Sequence, residues 1–392
     1  MDTTVHNPDQ HMFDFRQIIT NGRKKVGLLI GAGAPVSINV GDESNYTPLI
    51  PNIEGLTSQV RENLQGKERD AYNSLEQQLE KPNIELVLSR VRGLAEVIGS
   101  TEVCGLDGEG YKTLSQSICS CIKNIVDVGL PDEENPYSDL ISWINGITRK
   151  EPVEIFTTNY DLLFEEAMER ARTPYFDGFV GAKTAFFDPS SISNNDLPVN
   201  WIRLWKLHGS IGWAKHVNGE VVRDFTSDRE TMVYPSHIKY DQTQAAPFTS
   251  LFDRLKSFML EPDTLLIANG FSFADAHISS KLMECMVANP SSAIIALQYR
   301  KLEEERSAVS VALKRPNMSV YCSDGAVING VKANWKLGEE PAKNWGKIRQ
   351  EYWKDDEFNL GDFKSFTHFL AKSGGDKTYA LALKGAADEA EK

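Results

Sequence analysis

The stretch "EIFTTNYDLLFEEAM", residues 154–168, begins as an apolar run and then delivers Thr157, Thr158, Asn159, Tyr160 and Asp161 together. An apolar run this short reads as a buried strand, and "DLLFEEAMERA" (161–171) reads as the helix that follows it. Polar residues at such a junction stand where a strand leaves its sheet, and open parallel sheets bind their ligands at that edge. Helix amino termini point free N–H groups into the same crevice. Two readings of Asn159 and Asp161 are open on the local sequence, helix capping and ligand contact.

Similar strands recur along the chain. "KKVGLLIGAGAPV" (24–36) gives a strand from Val26 to Ile30 that ends in a glycine turn. "VEIFT" (153–157), "IRLWKL" (202–207), "TLLIANG" (264–270), "AIIALQ" (293–298) and "MSVYCSD" (318–324) follow, with helical patterns at 248–260, 274–289 and 302–315. This alternation predicts an α/β fold, a Rossmann-like parallel sheet covered by helices on both faces. Between the first strand and residue 150 the pattern is helical instead. In "PNIELVLSRVRGLAEVIG" (82–99), Asn83 is a cap, and Ile84, Val87, Leu88, Val91, Leu94, Ala95 and Ile98 share one face. The expected organisation is a ligand-binding domain over 20–330, with an inserted helical layer over 51–150, and a C-terminal extension over 331–392. Residues 171–200 read as a long polar loop, and "ALALKGAADEAEK" (380–392) as a fraying helix.

Composition narrows the function. The 392 residues carry 42 Lys and Arg against 55 Asp and Glu, a formal charge of -13, so the surface should repel a phosphate backbone and direct nucleic-acid binding is not expected. The five cysteines lack C-x-x-C spacing, which speaks against a structural zinc site and predicts reduced thiols. "MDTTVHNPDQHMFDF" (1–15) is acidic and polar where a secretory signal is basic and then apolar, and no apolar run approaches a membrane span. A cytoplasmic protein with no membrane partner is expected.

The strand ends then supply the candidate site: Gly31-Ala32-Gly33-Ala34, Thr157 to Asp161, His208-Gly209-Ser210, Gly270-Phe271-Ser272 and Ser323-Asp324. A glycine turn after a strand suits a pyrophosphate, because backbone N–H groups can approach without side chains in the way. The third glycine of a G-x-G-x-x-G pattern is Val36 here, and no strand with an acidic end follows about 20 residues on, so a hydride-transferring enzyme fits poorly. In "GFSFADAHI" (270–278), Asp275 and His277 lack a third metal ligand nearby.

Taken in order, "GAGAP", "TTNYD", "KLHGS" and "ANGFSF" resemble the sirtuin NAD-binding fold, which carries GAG, T-x-N-x-D, L-H-G and G-x-S blocks in that sequence. The resemblance covers roughly residues 25–50 and 150–330. It is closest to divergent, zinc-free bacterial sirtuin-like proteins, many of which hydrolyse NAD in defence against phage, and among them to the subunit that works with a HerA-type translocase ATPase. The resemblance implies NAD as substrate, no zinc, self-assembly into a homo-oligomer, and Asn159 and His208 as the catalytic pair. Asn159 would orient the attacking water and the ribose hydroxyls, and His208 would act as base or proton relay. Gly31, Ala32, Gly33 and Ala34 would present N–H groups to the pyrophosphate. Thr157 belongs to the same cofactor-binding set, and Asp161 would accept from the nicotinamide carboxamide. Gly270 and Ser272 would border the adenosine-side ribose, and Asp324 would lie near the adenine. Without the four cysteines of the deacetylases, and with the loop 171–200 between Asn159 and His208, the implied activity is NAD hydrolysis to nicotinamide and ADP-ribose. The alternatives are an NAD- or ADP-ribose-sensing scaffold without turnover and a zinc-free deacylase.

Overall fold

The computed structural model describes residues 4–373, apart from 21, 42–45, 194–195, 217–218, 226–230 and 234–245. The helix expected at 380–392 lies outside the described residues. The chain opens with β1 (Val5–His6), α1 (Pro8–Thr20) and β2 (Lys25–Ile30), and then runs through helices α2 (Ile53–Asn63), α3 (Gly66–Glu76), α4 (Ile84–Val97), α5 (Gly108–Val126) and α6 (Pro136–Gly146). Side-chain caps set four of these starts. Asn52, Asn83, Asp107 and Asn135 accept from the N–H groups of Gly55, Leu86, Gly110 and Ser138, each meeting one of the unpaired donors of a first turn.

Next come β3 (Glu154–Thr157), α7 (Leu163–Arg170), β4 (Tyr175–Phe176), β5 (Ile202–Lys206), α8 (Phe248–Leu260), β6 (Thr264–Asn269), α9 (Ala276–Ala288) and β7 (Ala293–Leu297). The chain continues through α10 (Arg306–Ala312), β8 (Met318–Tyr321), β9 (Gly325–Ile328), β10 (Val331–Trp335) and α11 (Phe363–Ser373). Among the described residues these strands form one ten-stranded sheet in the order β1-β10-β9-β8-β7-β6-β2-β3-β5-β4. From β8 to β4 every neighbouring pair is parallel.

Alternation along the central strands divides the core in two. Val26, Leu28, Ile30, Ile155 and Leu204 face one way, toward α1, α4, α5, α6, α7 and α11. Leu29, Phe156, Trp205, Leu266 and Ala268 face the other way, toward α8, α9 and α10. This is the α/β architecture expected from the strand–helix rhythm, with helices on both faces.

Two expectations need correction. Among the described residues, 171–193 are not a plain loop: Tyr175–Phe176 is the edge strand β4, and Phe179–Val180 and Phe186–Phe187 pair within a second, five-stranded sheet that includes Gly209–Lys215 and Val221–Arg223. Two-residue strands are too short for an alternating pattern to show in the sequence. Nor does the chain leave the fold at residue 331, because Val331–Trp335 pairs with β9 and β1, and α11 packs on α6.

At the amino-terminal ends of the strands, Glu154 is fully buried. Its carboxylate accepts from Arg254 through both oxygens and from Trp205 Nε1 at 2.8 Å, and Lys25 Nζ lies 3.6 Å away. Removing that carboxylate strands the buried Arg254 guanidinium and the Trp205 Nε1–H, while Lys25 keeps its shorter contact with Glu261 at 2.5 Å. Glu154→Ala is expected to cost about 3–5 kcal/mol, read as a lowered denaturant midpoint in chemical unfolding; an unchanged midpoint would refute the account.

Candidate active site

Strand register fixes where the candidate residues meet. Ile30 pairs with Asn269 on one side and Thr157 on the other, and Thr157 pairs with Lys206. The four strands β6, β2, β3 and β5 therefore end level with one another. One residue beyond that row stand Gly270, Gly31, Thr158 and Leu207, and two beyond stand Phe271, Ala32, Asn159 and His208. The row continues past the strands through Thr158 N–H to Ile30 O at 3.2 Å and Leu207 N–H to Thr157 O at 2.8 Å.

The glycine turn is built by close approach. Gly31 N–H donates to Asn269 O, Gly33 N–H to Gly270 O and Ala34 N–H to Gly31 O, each at 3.1 Å. A Cβ on Gly33 would lie 2.7 Å from Gly270 Cα, so the two turns touch backbone to backbone. Of the four amides expected to face a pyrophosphate, those of Gly31, Gly33 and Ala34 are already spent inside the fold. Gly270 serves this packing, with a φ of +66° that glycine adopts without strain.

Asn159 Nδ2 donates to Gly31 O at 3.2 Å, tying the β3 exit to the glycine turn, and Asn159 N–H donates to Thr157 Oγ1 at 3.1 Å. Asp161 is buried and its Oδ1 accepts from Leu163 N–H at 3.1 Å, so it organises the entry to α7, as a helix-start residue should. Burial raises the Asp161 pKa, opposed by Lys206 and the Leu163 amide. Fully buried Lys206 donates to Asp161 O, to Ser210 Oγ at 3.1 Å and to Glu165 Oε1 at 2.7 Å.

His208 precedes Gly209, whose φ of +91° lets the chain turn sharply out of β5 into the second sheet. Its Nε2 lies 3.0 Å from Asp275 Oδ2, and its Nδ1 is buried without a hydrogen-bond partner. Burial pulls the His208 pKa down, but the Asp275 hydrogen bond and the charges of Glu85 and Asp275 outweigh it and leave the pKa raised. Burial pushes Asp275 up, yet the bond and charge of His208, with the amides of Ile278 and His277, bring it to about 2.

A cavity of about 80 Å³ lies under the helical layer. Ala32, Thr158, Asn159 and Asp161 line it from the sheet; Ile53, Leu56, Ile84, Glu85, Ile122 and Val126 line it from α2, α4 and α5. The helices expected as an insertion therefore roof the strand-end crevice. Glu85 was not legible as a site residue, since it reads as an ordinary first-turn acid behind the Asn83 cap. Asp275 stands two residues before His277 in sequence, but His277 is exposed and Asp275 turns to His208 instead. Exposed Ser272 accepts from Ala274 N–H at 3.4 Å in a local turn. Asp324 is not brought to this cluster: its Oδ1 accepts from Leu302 N–H at 2.9 Å beyond β8, which lies two strands away from β6. Among the described residues no three His, Cys, Asp or Glu side chains converge on a metal position.

Residues 153–320 match the family model described as a SIR2-like domain. The SIR2-like segment runs from the start of β3 into β8 and holds Asn159, His208, Gly270 and Asp275, while β2 and the glycine turn precede it. The match supports a sirtuin-like fold. A solved structure described as "Structural Basis for the Mechanism and Regulation of Sir2 Enzymes" aligns over 93% of this chain and 98% of its own, at 11% identity and a TM-score of 0.39. No curated protein matches the chain. Among the described residues no helix is long and apolar enough to cross a membrane.

Two outcomes follow for the SIR2-like segment and its neighbours. Gly33→Ala should cost about 1–3 kcal/mol by forcing the two turns apart, measured by chemical denaturation; full retention of stability would contradict the close approach. The His208–Asp275 pair stabilises the fold in a definite pH window. His208, with its folded pKa raised, contributes fully below about 6.5 and loses that contribution as pH rises through the folded value. Asp275 contributes above about 4 and loses its share as pH falls toward about 2. The stability gap between wild type and His208→Gln should therefore be widest near pH ~5 and narrow at alkaline pH.

Proposed function

We propose that this protein is an NAD glycohydrolase that cleaves the nicotinamide–ribose bond to release nicotinamide and ADP-ribose. The observation that carries the reading is the shared row of strand ends, which brings Asn159, His208 and the Gly31–Ala34 turn to one edge of the sheet. The SIR2-like match over 153–320 supports NAD as the substrate class. Breaking this bond needs no metal, because the pyridinium is a cationic leaving group and the transition state resembles an oxocarbenium ion.

In this reading Asn159 holds water and ribose hydroxyls at the reacting carbon, its own orientation set by the bond to Gly31 O. The nicotinamide leaves with the electron pair of the broken bond, water adds to the carbon, and His208 takes the proton that water releases. The cavity of about 80 Å³ is well below the 300–1,000 Å³ typical of ligand pockets, which favours a latent resting form that opens when the roof of α2, α4 and α5 shifts. Latency suits an effector of anti-phage defence, whose unregulated action would exhaust the cell's NAD. The partners in this reading are further copies of the chain and a HerA-type translocase ATPase, in the cytoplasm.

Nicotinamide release should be measured for the chain alone and with a candidate ATPase. Turnover is expected in at least one preparation, with Asn159→Ala lowering it by about 10²–10³-fold while ADP-ribose binding is largely kept. A folded wild type that binds NAD but never consumes it would replace this reading with a sensing scaffold. Transfer of an acyl group from peptide to ADP-ribose would replace it with a deacylase.

A further inference from the structure

His208 sits in the turn after β5, and Asp275 sits in the connection from β6 to α9, on the far side of β2 and β3 in the sheet order. The Asp275 carboxylate is fixed at both ends. Its Oδ1 receives the amides of His277 and Ile278 at 2.8 and 3.1 Å, as an N-cap does, and its Oδ2 faces His208 Nε2 at 3.0 Å. An ionised carboxylate only accepts, so Nε2 carries a hydrogen in either charge state of the ring. That leaves Nδ1, which is buried and has no hydrogen-bond partner. Native proteins rarely leave such an atom unsatisfied unless a ligand or water completes it.

We infer that Asp275 is the positioning residue for His208: it clamps Nε2, fixes the tautomer and reserves Nδ1 for the ligand. The identity of that ligand group, a ribose hydroxyl or the attacking water, rests on the NAD-cleavage reading. Neutral His208 then presents a lone pair at Nδ1 and acts as the acceptor, whereas the protonated ring presents a donor. Other charged and titratable groups surround the ring. Glu85 from α4 adds a second negative field, and Tyr160 from the β3 exit lies within the fields of Glu85, Arg92, Cys119 and Asp275. Because Glu85 belongs to the roof, displacement of α4 would alter the protonation of His208 while the clamp by Asp275 persists.

Asp275→Asn keeps an oxygen for the helix cap but offers an NH₂ group where Nε2–H needs an acceptor, which drives the neutral ring toward the Nδ1-protonated tautomer. Nitrogen-15 histidine NMR of the full chain, with the His208 signals assigned by His208→Gln, reads this directly and without NAD turnover. Wild type should show the Nε2-protonated neutral tautomer and a titration midpoint above about 6.5. Asp275→Asn should switch the tautomer and lower the midpoint. Asp275→Ser, which also caps a helix, should lower the midpoint without the switch and serves if the first variant fails to fold.

In the turnover assay Asp275→Asn should reduce kcat by at least about 10-fold, with little change in KM and a displaced acid limb of the pH profile. An Nδ1-protonated wild-type ring, or an unchanged midpoint in a folded Asp275 variant, would overturn the assignment. If the wild-type spectra show the clamped tautomer but no preparation releases nicotinamide, the cleavage reading fails and the clamp stands.

Discussion

The level ending of β6, β2, β3 and β5 is the constraint on which the site depends. Parallel pairing has a side-chain period of two, so a slip of one residue in β3 would turn Ile155 and Phe156 to the wrong faces and misplace Asn159 at the same time. Core packing and site geometry are thus enforced by the same register. The central strands are buried on both faces, which leaves no solvated side on which an alternative pairing is tolerated.

The two ends of these strands are built from different materials. At the amino ends the carboxylate of Glu154 collects Arg254, Trp205 and Lys25 in a buried, fully engaged cluster. At the carboxyl ends Asn159 lines a small cavity, and the His208–Asp275 pair leaves one imidazole nitrogen over. The amino-terminal cluster is paired internally, whereas His208 Nδ1 at the other end is open to a ligand or water.

Much of the central sheet was legible in sequence because its strands are continuous apolar runs and its helices carry wide apolar stripes. "VEIFT" and "TLLIANG" show this directly, as does the Asn83 cap of α4. The short strands Tyr175–Phe176, Phe179–Val180 and Phe186–Phe187 were not legible, since two-residue apolar pairs between polar residues have no measurable period. In the candidate site, Asn159 and His208 could be read because each follows its strand by two residues. Glu85 and the pairing of Asp275 with His208 could not, because they join elements whose relative placement only the tertiary fold decides. The same gap hides the acceptors of the Gly31, Gly33 and Ala34 amides, which sequence offers to a ligand and the fold gives to Asn269, Gly270 and Gly31.

The bond from Asn159 Nδ2 to Gly31 O spans 128 positions of sequence. It yokes the orientation of one amide to the shape of a turn laid down near the start of the chain. A drift in that turn is felt as a rotation at Asn159, and a change at Asn159 leaves the Gly31 carbonyl with the Ala34 amide but without its tie to the β3 exit. Across descendants of this chain the two segments should therefore evolve as a matched pair, each tolerating only those replacements that the other already accommodates.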